Sequence, residues 1–179
     1  MIKTFGDKKV NIRKILPADV RNAKKFLKLV NELVREQAKI SWNREFTLKE
    51  EKTFLAETLK ANKAKTRLYL VAECDKEIAG VATLEIGKWR TNHVARFGIC
   101  LGKTFRGIGL GTAIMREIIR LSKTQLKPAP KIIKLEVYAN NAPAIALYKK
   151  MGFKIAAKIP RQIQYKGKLV SEFIMLKEI

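Results

Sequence analysis

The chain has 179 residues, and its 38 lysine and arginine residues against 16 aspartate and glutamate residues give a formal net charge of +22 at pH 7. Hydrophobic residues make up 47% of the chain, which excludes a disordered protein, and the length suits a single domain over residues 1–179. No apolar stretch is long enough to cross a membrane, and no charged and then apolar leader opens the chain, so we expect a soluble, unprocessed protein.

The first half of the chain predicts one strand, two helices and a pair of strands. Alternating apolar and polar residues mark the first strand, and apolar residues recur at helical spacing in the helices. The helical pattern breaks near Ser41–Asn43, and a turn at Asp75 and Lys76 separates the two later strands. In chain order the elements are strand Val10–Ile15, a helix from Leu16 to Val34, helix Leu48–Leu59, strand Arg67–Glu73 and strand Glu77–Ile86.

The second half predicts four further strands and two further helices. In chain order they are strand His93–Leu101, helix Thr112–Ser122, strand Lys131–Tyr138, helix Ala142–Met151, strand Phe153–Lys158 and strand Leu169–Leu176. Gly152 is expected to end its helix in the left-handed conformation. Consecutive strands predict antiparallel pairs, and each crossover through a single helix predicts a parallel neighbour. The sequence therefore predicts a mixed α/β domain without internal repeats.

Cysteine and histidine are too scarce to build a metal site or a disulfide scaffold. Cys74 and Cys100 lie in two separate predicted strands, and His93 is the only histidine. We therefore expect no metal and a reducing, cytoplasmic setting. The positive charge attracts anions such as nucleic acid or a phosphate-rich cofactor, or it serves only solubility.

Three glycines alternate in the segment RGIGLG, Arg106–Gly111, between a predicted strand and a predicted helix. The spacing fits neither the dinucleotide motif G-x-G-x-x-G, because the third glycine comes one position early, nor a phosphate-binding P-loop, because Phe97 stands where that motif needs its first glycine. Two interpretations remain open. The segment is a tight turn without a ligand, or it opens the start of a helix, where free N–H groups can hold a pyrophosphate.

This segment resembles the [QR]-x-x-G-x-[GA] motif of the GNAT superfamily of N-acetyltransferases, with Arg106, Gly109 and Gly111 at its fixed positions. Upstream, Phe97–Leu101 is similar to the splayed strand of that family, whose backbone pairs with the pantetheine arm of the cofactor. The resemblance places a β-bulge at Gly98.

A second stretch, NNAPAIALYKKMGF, resembles the closing motif N-x-x-A-x-x-L-Y-x-K-x-G-F of the same family. It matches at Asn141, Ala144, Leu147, Tyr148, Lys150, Gly152 and Phe153. Four of its apolar side chains also form a stripe at helical spacing, so Tyr148 alone could be an ordinary core tyrosine. The two motifs together, in the order of the family, favour the functional interpretation. The resemblance is sharp from Gly98 to Phe153.

The resemblance implies an α/β fold with a mixed central sheet of about seven strands, splayed in the middle, and about four helices packed on its faces. It implies acetyl-CoA as the cosubstrate of an acyltransferase that moves the acetyl group directly to an amine. The residues implied to bind the cofactor are Ile99, Cys100, Leu101, Arg106, Gly107, Ile108, Gly109, Gly111, Thr112, Asn141, Tyr148 and Lys150.

The same resemblance assigns Tyr148 as the general acid that protonates the departing thiolate. Several family members carry a glutamate about where this chain has Arg96, which stays protonated and cannot act as a base. Glu85 on the preceding strand is the substitute, or it is a solvated strand carboxylate. His93 is expected in an exposed turn, and Glu136 is expected to face solvent.

The acceptor pocket is implied to lie between the loop after the first helix and the final hairpin. Its expected residues are Gln37, Trp42, Asn43, Arg161, Tyr165 and the turn Lys166–Lys168. The positive field favours an acceptor with negative character. Three hypotheses remain: an N-acetyltransferase for small molecules or amino acids, an acetyltransferase for protein N-termini or lysines, and a basic nucleic-acid-binding protein without catalysis. Nucleic-acid contact rests on charge alone, and a homodimer stays open.

Overall fold

Eight strands form one open sheet in the computed structural model, which describes all 179 residues. The strands are β1 Ile2–Phe5, β2 Lys8–Lys14, β3 Arg67–Cys74, β4 Glu77–Ile86, β5 Val94–Leu101, β6 Ile132–Tyr138, β7 Lys154–Tyr165 and β8 Lys168–Glu178. The helices are α1 Pro17–Arg21, α2 Ala23–Arg35, α3 Leu48–Lys63, α4 Leu110–Gln125 and α5 Ala142–Lys150. None of these helices is long and apolar enough to span a membrane.

The sheet is splayed between β5 and β6, as the resemblance implies. The strand order is β1-β2-β3-β4-β5-β6-β8-β7, and only β5 and β6 pair in parallel, joined by the crossover through α4. Their pairing covers three residue pairs, from Val94 with Ile132 to Arg96 with Lys134. Beyond this point the strands diverge, because no backbone hydrogen bonds join Phe97–Leu101 to β6. The result is a gap in the middle of the sheet.

Two apolar clusters hold the helices on the two faces of the sheet. The larger one packs α4 and α5 against the sheet, and the smaller one packs α1, α2 and α3 against the other face. In α2, the buried side chains of Phe26, Leu29, Val30 and Leu33 follow the helical period. Central strand β4 is buried on both faces, which explains its nearly continuous apolar run.

The structure has one strand and one helix more than the approximate number that the sequence predicts. Strand β1 has only four residues and lies at the sheet edge, so its pattern is too short to be recognised. It is held by β2, where the amino group of Met1 donates to Ile12 O at 2.6 Å. The predicted first helix is divided at Asn22, which leaves the helical conformation with φ −96° and ψ 26°.

Two details of the predicted sheet are wrong. Strand β8 lies between β6 and β7, so the crossover through α5 leads to a parallel strand that is not a neighbour of β6. The bulge expected at Gly98 does not exist, because the register of β4 and β5 runs unbroken from Gly80 with Leu101 to Ile86 with Ala95.

Candidate active site

The glycines of the turn before α4 serve two different physical needs. Gly107 and Gly109 have φ values of 77° and 91°, a left-handed conformation that side chains with a Cβ atom rarely adopt. Gly111 needs space instead, since a Cβ atom there would lie 3.2 Å from the side chain of Leu147 and 3.3 Å from that of Leu101. The start of α4, the splayed strand β5 and helix α5 therefore meet closely at Gly111.

The N–H groups of residues 107–112 donate to no backbone carbonyl of the protein. The first amide of this region with a partner is Ala113 N–H, which donates to Gly109 O at 3.2 Å. Six successive donors thus lie at the start of a 16-residue helix, whose dipole adds partial positive charge there. Gly107 and Gly109 are exposed, so an anion can reach these donors. This is the arrangement that a pyrophosphate requires.

Arg106 holds this turn to its surroundings. Its Nε and Nη2 atoms each donate to Leu101 O at 3.0 Å, and its Nη2 also forms an ion pair with Glu36 at the end of α2. The side chain therefore connects the turn with the end of β5 and with the opposite helix layer. The structure places Arg106 beside the free amides, but with two of its three nitrogens already bonded.

Backbone groups of β5 face the gap in alternation. Gly102 N–H donates to Ala79 O at 2.9 Å, whereas Leu101 O points the other way, towards Arg106. By the alternation of a strand, Ile99 and Leu101 direct their N–H and C=O groups into the gap, and Cys100 directs its own towards β4. The Cys100 side chain packs against the cluster under α2, and burial raises the pKa of its thiol to about 11.

Tyr148 is buried on α5, and its ring is perpendicular to that of Phe97, with 6.3 Å between the two centroids. Its hydroxyl makes no hydrogen bond to the protein. Burial, with a smaller effect from Cys100, raises the pKa of Tyr148 to about 12, so the phenol carries its proton at neutral pH. Helix α5 ends at Gly152 in the left-handed conformation, with φ 86°, as predicted.

The remaining predicted cofactor residues lie in the turn before α4, in the first turn of α4 and at the two ends of α5. Ile108 and Thr112 are half-buried in the turn and the first turn of α4. Asn141 is at the N-cap position of α5, but its side chain makes no capping hydrogen bond and is free. Lys150 is exposed at the other end of α5 and takes part in no ion pair.

The structure does not bring Glu85 together with Tyr148 and the gap. Its carboxylate accepts a hydrogen bond from Arg67 Nη2 at 2.8 Å, and its side chain is 52% exposed. On β4 the residue level with Cys100 is Val81, four residues away, which is about 13 Å along a strand. This geometry favours the solvated strand carboxylate. His93 is exposed ahead of β5, as expected for a turn histidine.

Glu136 does not simply face solvent, so that expectation is corrected. Its carboxylate forms ion pairs with Arg96 at 2.5 Å and with Lys134 at 3.3 Å, and its side chain is only 20% exposed. Arg96 belongs to β5 and Glu136 to β6, so the pair joins the strands where they begin to diverge. A carboxylate therefore does lie near the position of the family glutamate, but two cations neutralise it.

A cavity of about 470 Å³ lies between the loop after α2 and the hairpin of β7 and β8, where the acceptor pocket is expected. Of the residues expected to line it, the cavity includes Gln37, Trp42, Asn43, Tyr165 and Lys166. Arg161, Gly167 and Lys168 do not line it. Arg161 instead occupies an irregular part of β7, with φ 55° after a proline.

Two tyrosines fix the wall of this cavity. Tyr138 on β6 donates its hydroxyl to Ile40 O at 2.7 Å, and Tyr165 on β7 donates to Gln37 O at 2.8 Å. Their rings meet edge to face, 5.5 Å apart. Tyr138 and Glu172 line the cavity although the sequence predicts neither as a site residue. A tyrosine at the end of a strand is typical of the core, so Tyr138 gives no signal. The signal for Glu172 is a charged residue inside a mostly apolar strand.

This splayed sheet, with free amides beside its gap, has the architecture that the two sequence motifs imply. The chain belongs to the acetyltransferase (GNAT) family, whose sequence model matches residues 28–153.

Two relatives support this membership. The L-amino acid N-acetyltransferase AaaT of Escherichia coli strain K12 is 35% identical over 109 residues, which are 60% of this chain and 66% of that protein. An N-alpha-acetyltransferase of Sulfurisphaera tokodaii is 32% identical over 111 residues, which are 56% of this chain and 63% of that protein. The matched part thus spans a little under two thirds of each relative.

The fold is also that of solved structures. A GNAT-family acetyltransferase from Streptococcus pneumoniae superposes with a TM-score of 0.82 at 24% identity, over 95% of this chain and 99% of that chain. Other acetyltransferases of this fold have been solved in complex with acetyl-CoA or coenzyme A.

Proposed function

We propose that the protein is an N-acetyltransferase that moves the acetyl group of acetyl-CoA directly to a primary amine of a small molecule or an amino acid. The observation that carries this proposal is the run of six free N–H groups at residues 107–112, beside the gap between β5 and β6. The family membership and the complexes of similar folds with acetyl-CoA agree with it.

The cofactor is proposed to lie along the edge of β5. Its pyrophosphate accepts hydrogen bonds from the amides of Gly107–Thr112, and the amide groups of its pantetheine arm pair with the N–H and C=O groups of Ile99 and with the N–H group of Leu101, whose carbonyl is already bonded to Arg106. The side chains of Asn141 and Lys150, which have no other partner, are available for further contacts with the cofactor. Cys100 then contributes packing under the gap.

The proposed reaction needs a neutral amine, a stabilised oxyanion and a proton for the sulfur. The acceptor first loses a proton to solvent water, which costs about 4 kcal/mol at pH 7 for an amine with a pKa of ~10. The amine nitrogen attacks the thioester carbon, the N–H of Ile99 or Leu101 stabilises the oxyanion, and the C–S bond breaks. Tyr148, protonated at neutral pH, gives its proton to the thiolate, and the second proton lost by the nitrogen restores the phenol.

Cavity size supports a small acceptor. A volume of about 470 Å³ is in the range of pockets that enclose small ligands. The relative that is 35% identical acts on L-amino acids according to its name.

The second candidate is acetylation of protein N-termini, which the N-alpha-acetyltransferase relative favours. Within this proposal residues 1–179 form a single acetyltransferase domain in the cytoplasm. Nucleic-acid contact, suggested by the exposed positive charge, and homodimerisation stay as further hypotheses.

The test is turnover of the purified protein with acetyl-CoA and a panel of the twenty L-amino acids, n-butylamine and short peptides with free N-termini, followed by thiol release. We expect turnover with at least one amino acid or small amine. Turnover with peptides alone would establish the second candidate. An absence of thiol release with every amine, together with no heat on titration with coenzyme A, would contradict the proposed function.

A further inference from the structure

Glu172 on β8 lines the acceptor cavity and takes part in none of the ion pairs or side-chain hydrogen bonds of the protein. Its strand neighbours are Tyr138 on β6 and Ile159 on β7. Glu136, the nearest other carboxylate on this face, is held by Arg96 and Lys134. Glu172 is therefore the free carboxylate of the cavity.

The register places Glu172 beside the gap. Tyr138 lies two residues after Glu136 on β6, so their side chains share one face, and Glu172 lies directly opposite Tyr138 on the next strand. Glu172 is thus one strand, about 5 Å, beyond the edge of the gap in which the thioester is proposed to lie. It is also on the face that Cys100 and the loop after α2 share, which is the side from which an acceptor enters.

No group of the protein forms a hydrogen bond or an ion pair with the Glu172 carboxylate, and Lys166, the lysine that lines the same cavity, lies over the ring of Tyr165, 5.6 Å from its centroid. The hydroxyls of Tyr138 and Tyr165 give their only protons to the carbonyls of Ile40 and Gln37. The cations Arg96 and Lys134 are bound to Glu136. Burial, and then repulsion from Glu136, raise the pKa of Glu172 by more than attraction to Arg96 and Lys134 lowers it. A carboxylate that is partly dehydrated and without a partner is stabilised when a cation arrives.

We propose that Glu172 binds the ammonium group of the acceptor, so that the acceptor is an amine that arrives as a cation. This inference rests on the proposed function. It reverses, inside the cavity, the expectation from the net charge of +22 that the acceptor has negative character. Salt screens the field of the whole protein at distances beyond about 10 Å, whereas a carboxylate in the pocket acts on the acceptor at contact.

The test compares Glu172→Gln with Glu178→Gln, a matched control at the exposed end of the same strand. With the best acceptor of the panel, we expect Glu172→Gln to raise the KM for the amine about 10- to 150-fold, the range for loss of a charge-assisted hydrogen bond. The KM for acetyl-CoA should stay the same. Glu178→Gln should behave as the wild type.

A binding measurement separates charge from shape. The acceptor molecule without its amino group should bind the coenzyme A complex of Glu172→Gln more tightly than that of the wild type, because the repelling or unpaired carboxylate is gone. An unchanged KM for the amine in Glu172→Gln would overturn the inference while leaving the proposed function intact. If Glu172→Gln does not fold, as circular dichroism would show, Glu172→Asp decides, because it withdraws the carboxylate by one methylene: a raised KM for the amine with normal coenzyme A binding supports the inference, and an unchanged KM overturns it.

Discussion

The two sides of the gap use different chemical groups, backbone amides on one side and side chains on the other. On the cofactor side, the donors are backbone amides of one continuous segment, residues 107–112, held by two left-handed glycines and by Arg106. On the acceptor side, the cavity is made of side chains from the loop after α2, from β6 and from the final hairpin. A cofactor common to a family can be bound by backbone groups that need only glycine and a helix start, whereas an individual acceptor must be selected by side chains.

The largest effect should come from the backbone on the cofactor side. Gly109→Val puts a β-branched residue at φ 91° and displaces several amides, so we expect the Kd for coenzyme A to rise by more than about 100-fold, as for two lost charge-assisted hydrogen bonds. Calorimetry measures it. Gly167→Val is the matched control, since it strains a hairpin turn at φ 72° and should leave the Kd unchanged. An equal loss in both variants would contradict a local role of the turn.

A large effect on rate alone is expected at Tyr148, between the two sides. Tyr148→Phe removes the proton donor but keeps the ring against Phe97, so kcat should fall about 100-fold, in the lower range for general acid catalysis. The Kd for coenzyme A should not change. Steady-state kinetics and calorimetry together give both numbers. A kcat within threefold of the wild type would remove Tyr148 from the acid role.

A smaller effect is expected from the hydrogen bonds that hold the acceptor wall. Tyr138→Phe and Tyr165→Phe each release a carbonyl of the loop after α2, and a hydrogen bond of about 1 kcal/mol corresponds to roughly a fivefold rise in the KM for the amine. The Kd for coenzyme A should stay constant in both variants. A rise in that Kd of similar size would show that the two sides are not separable.

The smallest effect on activity should come from Glu51, a buried carboxylate on α3 that lies outside the cavity. Burial raises its pKa from 4.5 to about 7, so the folded state binds its proton more tightly than the unfolded state. Stability from this group is present below pH 4.5 and is lost as pH rises to about 7, by at most about 3 kcal/mol.

Glu51→Gln should therefore melt at a higher temperature than the wild type at pH 8 and at about the same temperature at pH 4. Its kcat and KM should equal those of the wild type. A thermal melting series between these pH values measures the difference. A gain that is the same at both pH values would show that the titration of Glu51 is not its cause.

The sequence predicts the cofactor side far better than the acceptor side, and for a physical reason. The glycine turn, the helix that follows it and Gly152 are local features, so their conformations depend on neighbouring residues and fit a linear motif. Glu172 and Tyr138 come together only because β8 inserts beside β6, an arrangement that the crossover through α5 does not predict. The position of Glu85 on the strand before β5 makes it a candidate base, but its partner Arg67 on β3 follows only from the register of β3 and β4.

The edge strand β1 and the partners of Glu136 are also not predictable from the sequence, each for a reason of its own. Strand β1 has only four residues, which is too few for an alternating apolar pattern to be recognised. The ion pair between β5 and β6 depends on the residue at which those two strands diverge.

The binding of a pyrophosphate by the free amides before α4 is tested most directly by following backbone amide resonances during titration with coenzyme A. The largest shifts should fall on the amides of Gly107–Thr112, and pantetheine, which lacks the pyrophosphate, should leave these resonances almost unchanged. If coenzyme A binds while the amides of this turn stay where they are, the segment is only a bend between a strand and a helix, and the cofactor lies elsewhere.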